Sequence, residues 1–172
     1  MSDLPFSQSV RVVDLPPHGL DLKLAPDART CHALASYAGV LAVSDLAAQL
    51  HFDPERADGV HVTGRVTATV RQTCGVTLEP FDAPLSEEID VHFVPAGSYV
   101  PKPPAPGEED DGEDPPDEIV DGAIDAGALL CEFLVLGVDP YPRKPGAVFE
   151  APATNPAEVS PFAALARLKD PE

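Results

Sequence analysis

Two alternations of apolar and polar residues in the middle of the chain set its plan. In the first, Val60, Val62, Val66, Ala68 and Val70 stand against His61, Thr63, Arg65, Thr67, Thr69 and Arg71, with Gly64 between them. A period of two is the signature of a half-buried strand. In the second, Ile89, Val91 and Phe93 stand against Asp90 and His92. The connecting segment, QTCGVTLEPF, has turn chemistry at Gly75 and Pro80 and a single cysteine, Cys74. The spacing predicts two strands joined around Cys74 within residues 59–95.

The flanking segments are shorter and less regular. Phe6 to Leu15 alternates and predicts a first strand, closed by Pro16, Pro17, His18 and Gly19. Leu20, Leu22 and Leu24 predict a second, which pairs with the first as a hairpin or lies on a separate edge. Pro26 to Ala38 predicts a helix, with Pro26 at the first helical position and Asp27 at its positive end. Cys31, Leu34, Ala35 and Ala38 fall on one face of it, and Gly39 is the natural stop. Val40 to Phe52 reads either as a strand or as a helix through Asp45 to Leu50. Breakers on both sides favour a strand, while its alanines argue against one. Asp53 to Gly59 is a turn, and Glu118 to Val120 a short strand. Ile124 to Val138 predicts a second helix, apolar nearly all round and therefore buried. Asp125 is its N-cap, and Asp139-Pro140-Tyr141-Pro142 ends it. The fold class expected is α+β: a mostly antiparallel sheet, curled towards a barrel, packed by two helices.

Composition adds a division of the chain. Among its 172 residues, 21 prolines and 12 glycines gather in a few stretches. From Glu108 to Asp121 there are nine acidic residues and no basic one. A run of like charge stays solvated, so an acidic, disordered loop is expected at about 97–117, inside a single domain at 1–145. A Pro/Ala-rich tail follows at 146–172, with a short amphipathic helix at 161–169 presenting Phe162, Leu165 and Leu168. The formal net charge of −18 repels phosphate backbones and attracts basic partners. Trp is absent and aromatics make up 6% of the chain, which disfavours base-stacking platforms.

Chemistry-bearing motifs are sparse. There is no phosphate-binding loop, dinucleotide fingerprint, nucleophile elbow or HExxH helix, so no catalytic residue and no cofactor is assigned. Cys31, Cys74 and Cys131 are far apart and read as small buried hydrophobes in a reducing compartment. With no signal-peptide pattern and no apolar run near the ~20 residues of a membrane span, a cytoplasmic protein without a membrane is expected. His61 and His92 lie on the polar faces of the two central strands. If the register sets them opposite each other, they come close enough to share a metal. Exposed cross-strand residues without a ligand are the more ordinary outcome, and no metal site is assigned.

Three stretches together resemble the YceD family, also called large ribosomal RNA subunit accumulation proteins, and most resemble its alphaproteobacterial branch. They are VTGRVTATVRQTCGVTLEPFDAPLSEEIDVHFVP (Val62–Pro95), EIVDGAIDAGALLCEFLVLGVDPYPRKPGAVF (Glu118–Phe149) and PFAALARLK (Pro161–Lys169), with an acidic loop between the first two. Many members carry a Cys-x-x-Cys turn in the first stretch. Cys74 matches its first position, and Thr77 stands at the second. The resemblance implies a cytosolic factor needed for normal levels of large-subunit ribosomal RNA and brings no catalytic residues with it; the leading reading of the chain is a non-enzymatic ribosome-assembly factor. Its expected partner is a basic large-subunit ribosomal protein or a pre-ribosomal particle. Asp110, Asp111, Glu113 and Asp114 are then the contact candidates, with Phe162 and Leu165 as a second set. The alternatives are direct contact with ribosomal RNA through Arg65, Arg71, Arg143 and Lys144, and an adaptor unrelated to ribosomes. The sequence does not set the oligomeric state.

Overall fold

The computed structural model of the chain describes residues 4–99 and 115–149. In chain order its elements are β1 (Ser9–Arg11), β2 (Leu20–Leu24), α1 (Ala28–Ala38), β3 (Ala42–Pro54), β4 (Val60–Thr73), β5 (Pro80–Pro95), β6 (Asp117–Ile119), β7 (Ala123–Asp125) and α2 (Ala126–Leu136). Five strands form one sheet in the order β2-β3-β4-β5-β6, and β1 pairs with β7 in a separate two-stranded sheet. All pairings are antiparallel except β5 with β6. The α+β class is as the sequence predicts, but the sheet does not close into a barrel. Its edges are β2 and β6, and β6 has only three residues with which to pair.

The central pair runs fourteen residues in unbroken register, from Val60 opposite Phe93 to Thr73 opposite Pro80. Every even-numbered residue of β4 from Val60 to Gln72 points into the core, and Val60, Val62 and Val66 are completely buried. Gly64 holds the one vacant side-chain position on that face, and Leu50 fills it. A Cβ at residue 64 would stand 2.2 Å from the Gln49 carbonyl oxygen and 2.9 Å from Leu50 Cδ2. The glycine is therefore needed for the close approach of β3 to β4, not for a special backbone angle.

The ambiguity of residues 40–52 has a physical source. The segment is a strand, but its register with β4 shifts between Ser44 and Ala47. Asp45 is the extra residue, with a positive φ of 52°. A bulge of this kind inverts the side-chain parity of a strand. Val43 faces the core before it, and Ala48, Leu50 and Phe52 face the core after it. An uninterrupted period of two cannot describe such a segment.

Both helices are shorter than the sequence predicts, and side-chain caps explain why. Asp27 is the N-cap of α1, and its carboxylate accepts the Thr30 N–H at 2.8 Å. A cap has extended dihedrals, so Asp27 and Pro26 both lie outside the helix. Gly39, at φ 69°, stops it as expected. At α2, Asp125 is the cap, and its Oδ1 accepts from Gly127 and Ala128. The same carboxylate accepts from the Gln8 N–H and, through Oδ2, from Ser7 Oγ. It thereby holds the N-terminal segment across the first turn of α2. A Cβ at Gly127 would meet Gln8 N at 2.6 Å. Ile124 belongs to β7, and α2 stops at Leu136 with Gly137 as its C-cap, before the prolines. The first predicted strand likewise shrinks to β1 and a 3-10 turn at Val12–Asp14, because β7 offers it only three partners.

Leu129, Leu130, Cys131 and Leu134 of α2 join Cys31, Leu34 and Ala35 of α1 and the inner face of the sheet in one core. No described helix is long and apolar enough to cross a membrane. Asp117, expected at the edge of the acidic loop, opens β6, with Ile119 buried behind it. Asp110, Asp111, Glu113, Asp114, Phe162, Leu165 and the predicted helix at 161–169 lie outside the described residues.

The Gly64 contact gives a direct test of the β3–β4 packing. Gly64→Ala is expected to lower unfolding stability by at least about 1–3 kcal/mol, the usual cost of overpacking. Thr63→Ala, on the outer face, is expected to change it by less than about 0.5 kcal/mol. Urea unfolding followed by circular dichroism measures both.

Candidate functional site

The turn that joins β4 to β5 is densely hydrogen-bonded. Within it, Cys74 N–H donates to the Glu79 carbonyl and Leu78 N–H donates back to the Cys74 carbonyl, both at 2.9 Å. Closing so tight a loop puts Leu78 at a positive φ of 58°. It also turns the Cys74 side chain inward, where it is fully buried. Three backbone N–H groups point at its sulfur: Thr77 and Val76 at 3.4 Å, and Lys144 at 3.3 Å. The Lys144 donor lies seventy residues away in sequence. It arrives because the segment after α2 folds back over the turn. The Gln72 side chain donates to the Asp139 carbonyl, and Gly75 N–H to the Pro142 carbonyl, each at 2.8 Å.

Donors aimed at a sulfur favour the thiolate. The Cys74 thiol is lowered from 9.0 to about 6, first by hydrogen bonding from the Thr77 side chain and N–H, then by Lys144 and Val76, against a burial effect that raises it. Cys31 and Cys131 move the other way, because burial without comparable donors raises a thiol. All three cysteines are free. The Cys74 turn provides one sulfur, with Thr77 where a Cys-x-x-Cys turn would place its partner, and its carboxylate, Glu79, is engaged by Lys144. A group of three metal-ligating side chains does exist among the described residues, but at the other end of the hairpin, with Glu55, His61 and His92. The Cys74 turn therefore does not fit a metal centre, and its amide cradle stabilises the thiolate instead.

Carboxylates engage three of the four cations that the sequence singles out. Arg71 forms a bidentate pair with Asp82, with Nε–Oδ1 and Nη2–Oδ2 both at 2.8 Å. The hydrogen bond from Arg71 holds the Asp82 carboxyl below its ordinary value and raises the guanidinium. Lys144 Nζ pairs with Glu79 at 2.9 Å, with the same pair of effects. Arg65 pairs with Glu88. Among the described residues, Arg143 has no ion-pair partner. Arg71, Arg143, Lys144 and Cys74 thus gather at one end of the hairpin. Arg65 stands six residues along β4 from Arg71, about 20 Å away.

The profile of the family described as "Large ribosomal RNA subunit accumulation protein YceD" matches residues 62–169. The chain belongs to the YceD family. The matched stretch contains β4 from Val62 onward, β5 to β7, α2 and the Cys74 turn. Its folding joins two of the three stretches that carry the sequence resemblance, through Gln72, Gly75 and Cys74 on one side and Asp139 to Lys144 on the other. No curated protein and no solved structure matches the chain. Membership ties this YceD protein to accumulation of the large-subunit ribosomal RNA and to ribosome assembly. The amide cradle of Cys74 is invisible in the sequence, because one of its donors is seventy residues away. The lone turn cysteine itself was the legible signal.

The lowered thiol has a pH consequence with a definite sign. An acid whose folded value lies below its unfolded value stabilises the fold above the unfolded value, and that contribution is lost as pH falls through the folded one. Cys74 is expected to add stability progressively from about pH 6 to about pH 9. In Cys74→Ser this increment should vanish, so that the urea midpoints of the two proteins diverge from pH 6 to pH 9. Thiolate absorbance, titrated in the native protein, should show one ionisation near pH 6 that the variant lacks.

Proposed function

We propose that this YceD protein acts as a non-enzymatic assembly factor that holds a basic large-subunit ribosomal protein, or an assembly intermediate carrying one, on an acidic surface. The observation behind this reading is the state of the exposed cations. Arg65, Arg71 and Lys144 are each engaged by a carboxylate in a chain whose net charge is −18. A partner approaching the outer face of the hairpin meets neutralised cations and surplus acid. Such a field steers basic partners and repels exposed phosphate. We assign the first contacts to Asp110, Asp111, Glu113 and Asp114, with Phe162 and Leu165 as an apolar second contact. The factor works in the cytoplasm, whose reducing conditions suit three free, buried cysteines. We also infer the alphaproteobacterial type, from the likeness of the same three stretches.

The test is affinity capture of the tagged protein from its own cells, at low and high salt, with and without RNase. A basic large-subunit protein that survives RNase and is lost in salt is the expected result. Replacing Asp110, Asp111, Glu113 and Asp114 together by Asn or Gln should then weaken binding at least about tenfold, the equivalent of about 1.4 kcal/mol. Capture abolished by RNase, with retention reduced by charge reversal at Arg71 and Arg143, would assign the protein to direct RNA binding instead.

A further inference from the structure

We propose that the end of the β4–β5 hairpin remote from Cys74 is a binding site for a divalent transition-metal ion such as Zn2+, held by His61, His92 and Glu55. The sheet register makes the juxtaposition. His61 lies directly opposite His92 on β5 and directly opposite Asp53 on β3. The three residues form a row across the outer face. The two imidazole rings stack with centroids 4.0 Å apart and planes within 5° of parallel. The β3–β4 connection adds the carboxylate. It reverses through Ala57 and Asp58, both with positive φ, and Glu55 N–H donates to the Gly59 carbonyl at 2.8 Å. This reversal brings Glu55 Oε2 to 3.2 Å from His92 Nδ1, on a strand two places away from β3.

The donor set and its spacing suit a metal. One ligand atom from each of the three side chains lies within 4.8 Å of the others. Two ligands bound at about 2.0–2.1 Å to a tetrahedral Zn2+ stand about 3.3 Å apart, close to the Glu55–His92 separation. The stacked rings hold their in-plane lone pairs nearly parallel, so binding requires one imidazole to rotate until both nitrogens converge on the ion, a movement open to exposed or half-buried side chains. Imidazole nitrogen with carboxylate oxygen is the donor chemistry of zinc and its neighbours. His61 has the outer partner that metal-binding histidines commonly show. Its Nε2 meets Asp90 Oδ1 at 2.6 Å, and an Nε2–H donated there leaves Nδ1 with its lone pair.

The surroundings favour a cation as well. Glu55, Asp90, His92 and Asp117 line one groove with Pro115 and Phe133. Three protein ligands leave a tetrahedral ion one position open. That position would take water or a side chain of a bound protein. Glu55 and His61 lie outside the stretch matched to the family, residues 62–169.

Calorimetric titration of Zn2+ into the full-length, tag-free protein tests the proposal. One saturable site per chain is expected. His61→Ala and His92→Ala should each weaken it by at least about 100-fold, and Asp90→Asn by about 10–100-fold. Glu55→Gln should weaken it by about tenfold or more. Cys74→Ser and His51→Ala should leave it unchanged. The substitutions lie on the outer face, so the metal-free variants should melt with the wild type. Histidine ring resonances of the wild-type protein provide a readout that needs no variant, because Zn2+ should shift those of His61 and His92 alone. Co2+ should give ligand-field bands without the thiolate charge-transfer band that Cys74 ligation would add. No saturable binding, binding indifferent to loss of both histidines, or binding lost in Cys74→Ser would each overturn the assignment.

Discussion

The structure depends on β4 being hydrogen-bonded along nearly its whole length on both sides. A strand in that position exposes no edge, and one of its faces must be apolar throughout. The even-numbered residues from Val60 to Val70 meet that demand, and Gly64 lets β3 lie against them without steric conflict. A slip of one residue would move His61, Arg65 and Arg71 into the core. The register is therefore fixed by burial, and with it every cross-strand pair on the outer face. Those pairs include Arg65 with Glu88, Arg71 with Asp82 and His61 with His92. The polar organisation of the surface is a consequence of the apolar one beneath it.

α2 extends the same constraint to the remainder of the chain. Its buried face covers β4 and β5, and Asp125 at its start gathers donors from Ser7 and Gln8 as well as from its own first turn. Its far end delivers the Asp139–Lys144 segment to the Cys74 turn. The two termini of one buried helix thus position the N-terminal strand and complete the amide cradle around the sulfur. That cradle accommodates a charged thiolate in a buried place because N–H dipoles replace the water it has lost.

The two ends of the β4–β5 hairpin differ in chemistry. At the Cys74 end, Arg71 and Lys144 are each paired with a carboxylate, and the sulfur is enclosed. At the other end, the half-buried His61 and the exposed His92 meet the carboxylates of Asp90 and Glu55, with no Lys or Arg among the described ion pairs there. Between them the outer face is polar and ion-paired. Exposed pairs of this kind contribute little stability, so their main physical effect is on the field that a partner meets.

The strand periods of β4 and β5, the caps at Asp125 and Gly39, the burial of α2 and the acidic balance were all legible in the sequence. Each rests on neighbours a few residues apart. The sequence was equivocal at β3, because the Asp45 bulge inverts the pattern on which a period-two reading relies. It overextended both helices and β1, because Asp27, Asp125 and the three-residue β7 terminate them by specific hydrogen bonds rather than by composition. It identified His61 and His92 as opposable and Cys74 as singular, without their partners. Glu55 reaches His92 only through the fold of the β3–β4 connection, and Lys144 reaches Cys74 only through the return of the chain after α2. Local periodicity and capping are written in adjacent residues, and the sequence by itself determined them. Which distant groups share a site depends on register, bulge and crossover, and only the tertiary structure decided that, because burial of the whole core selects them together.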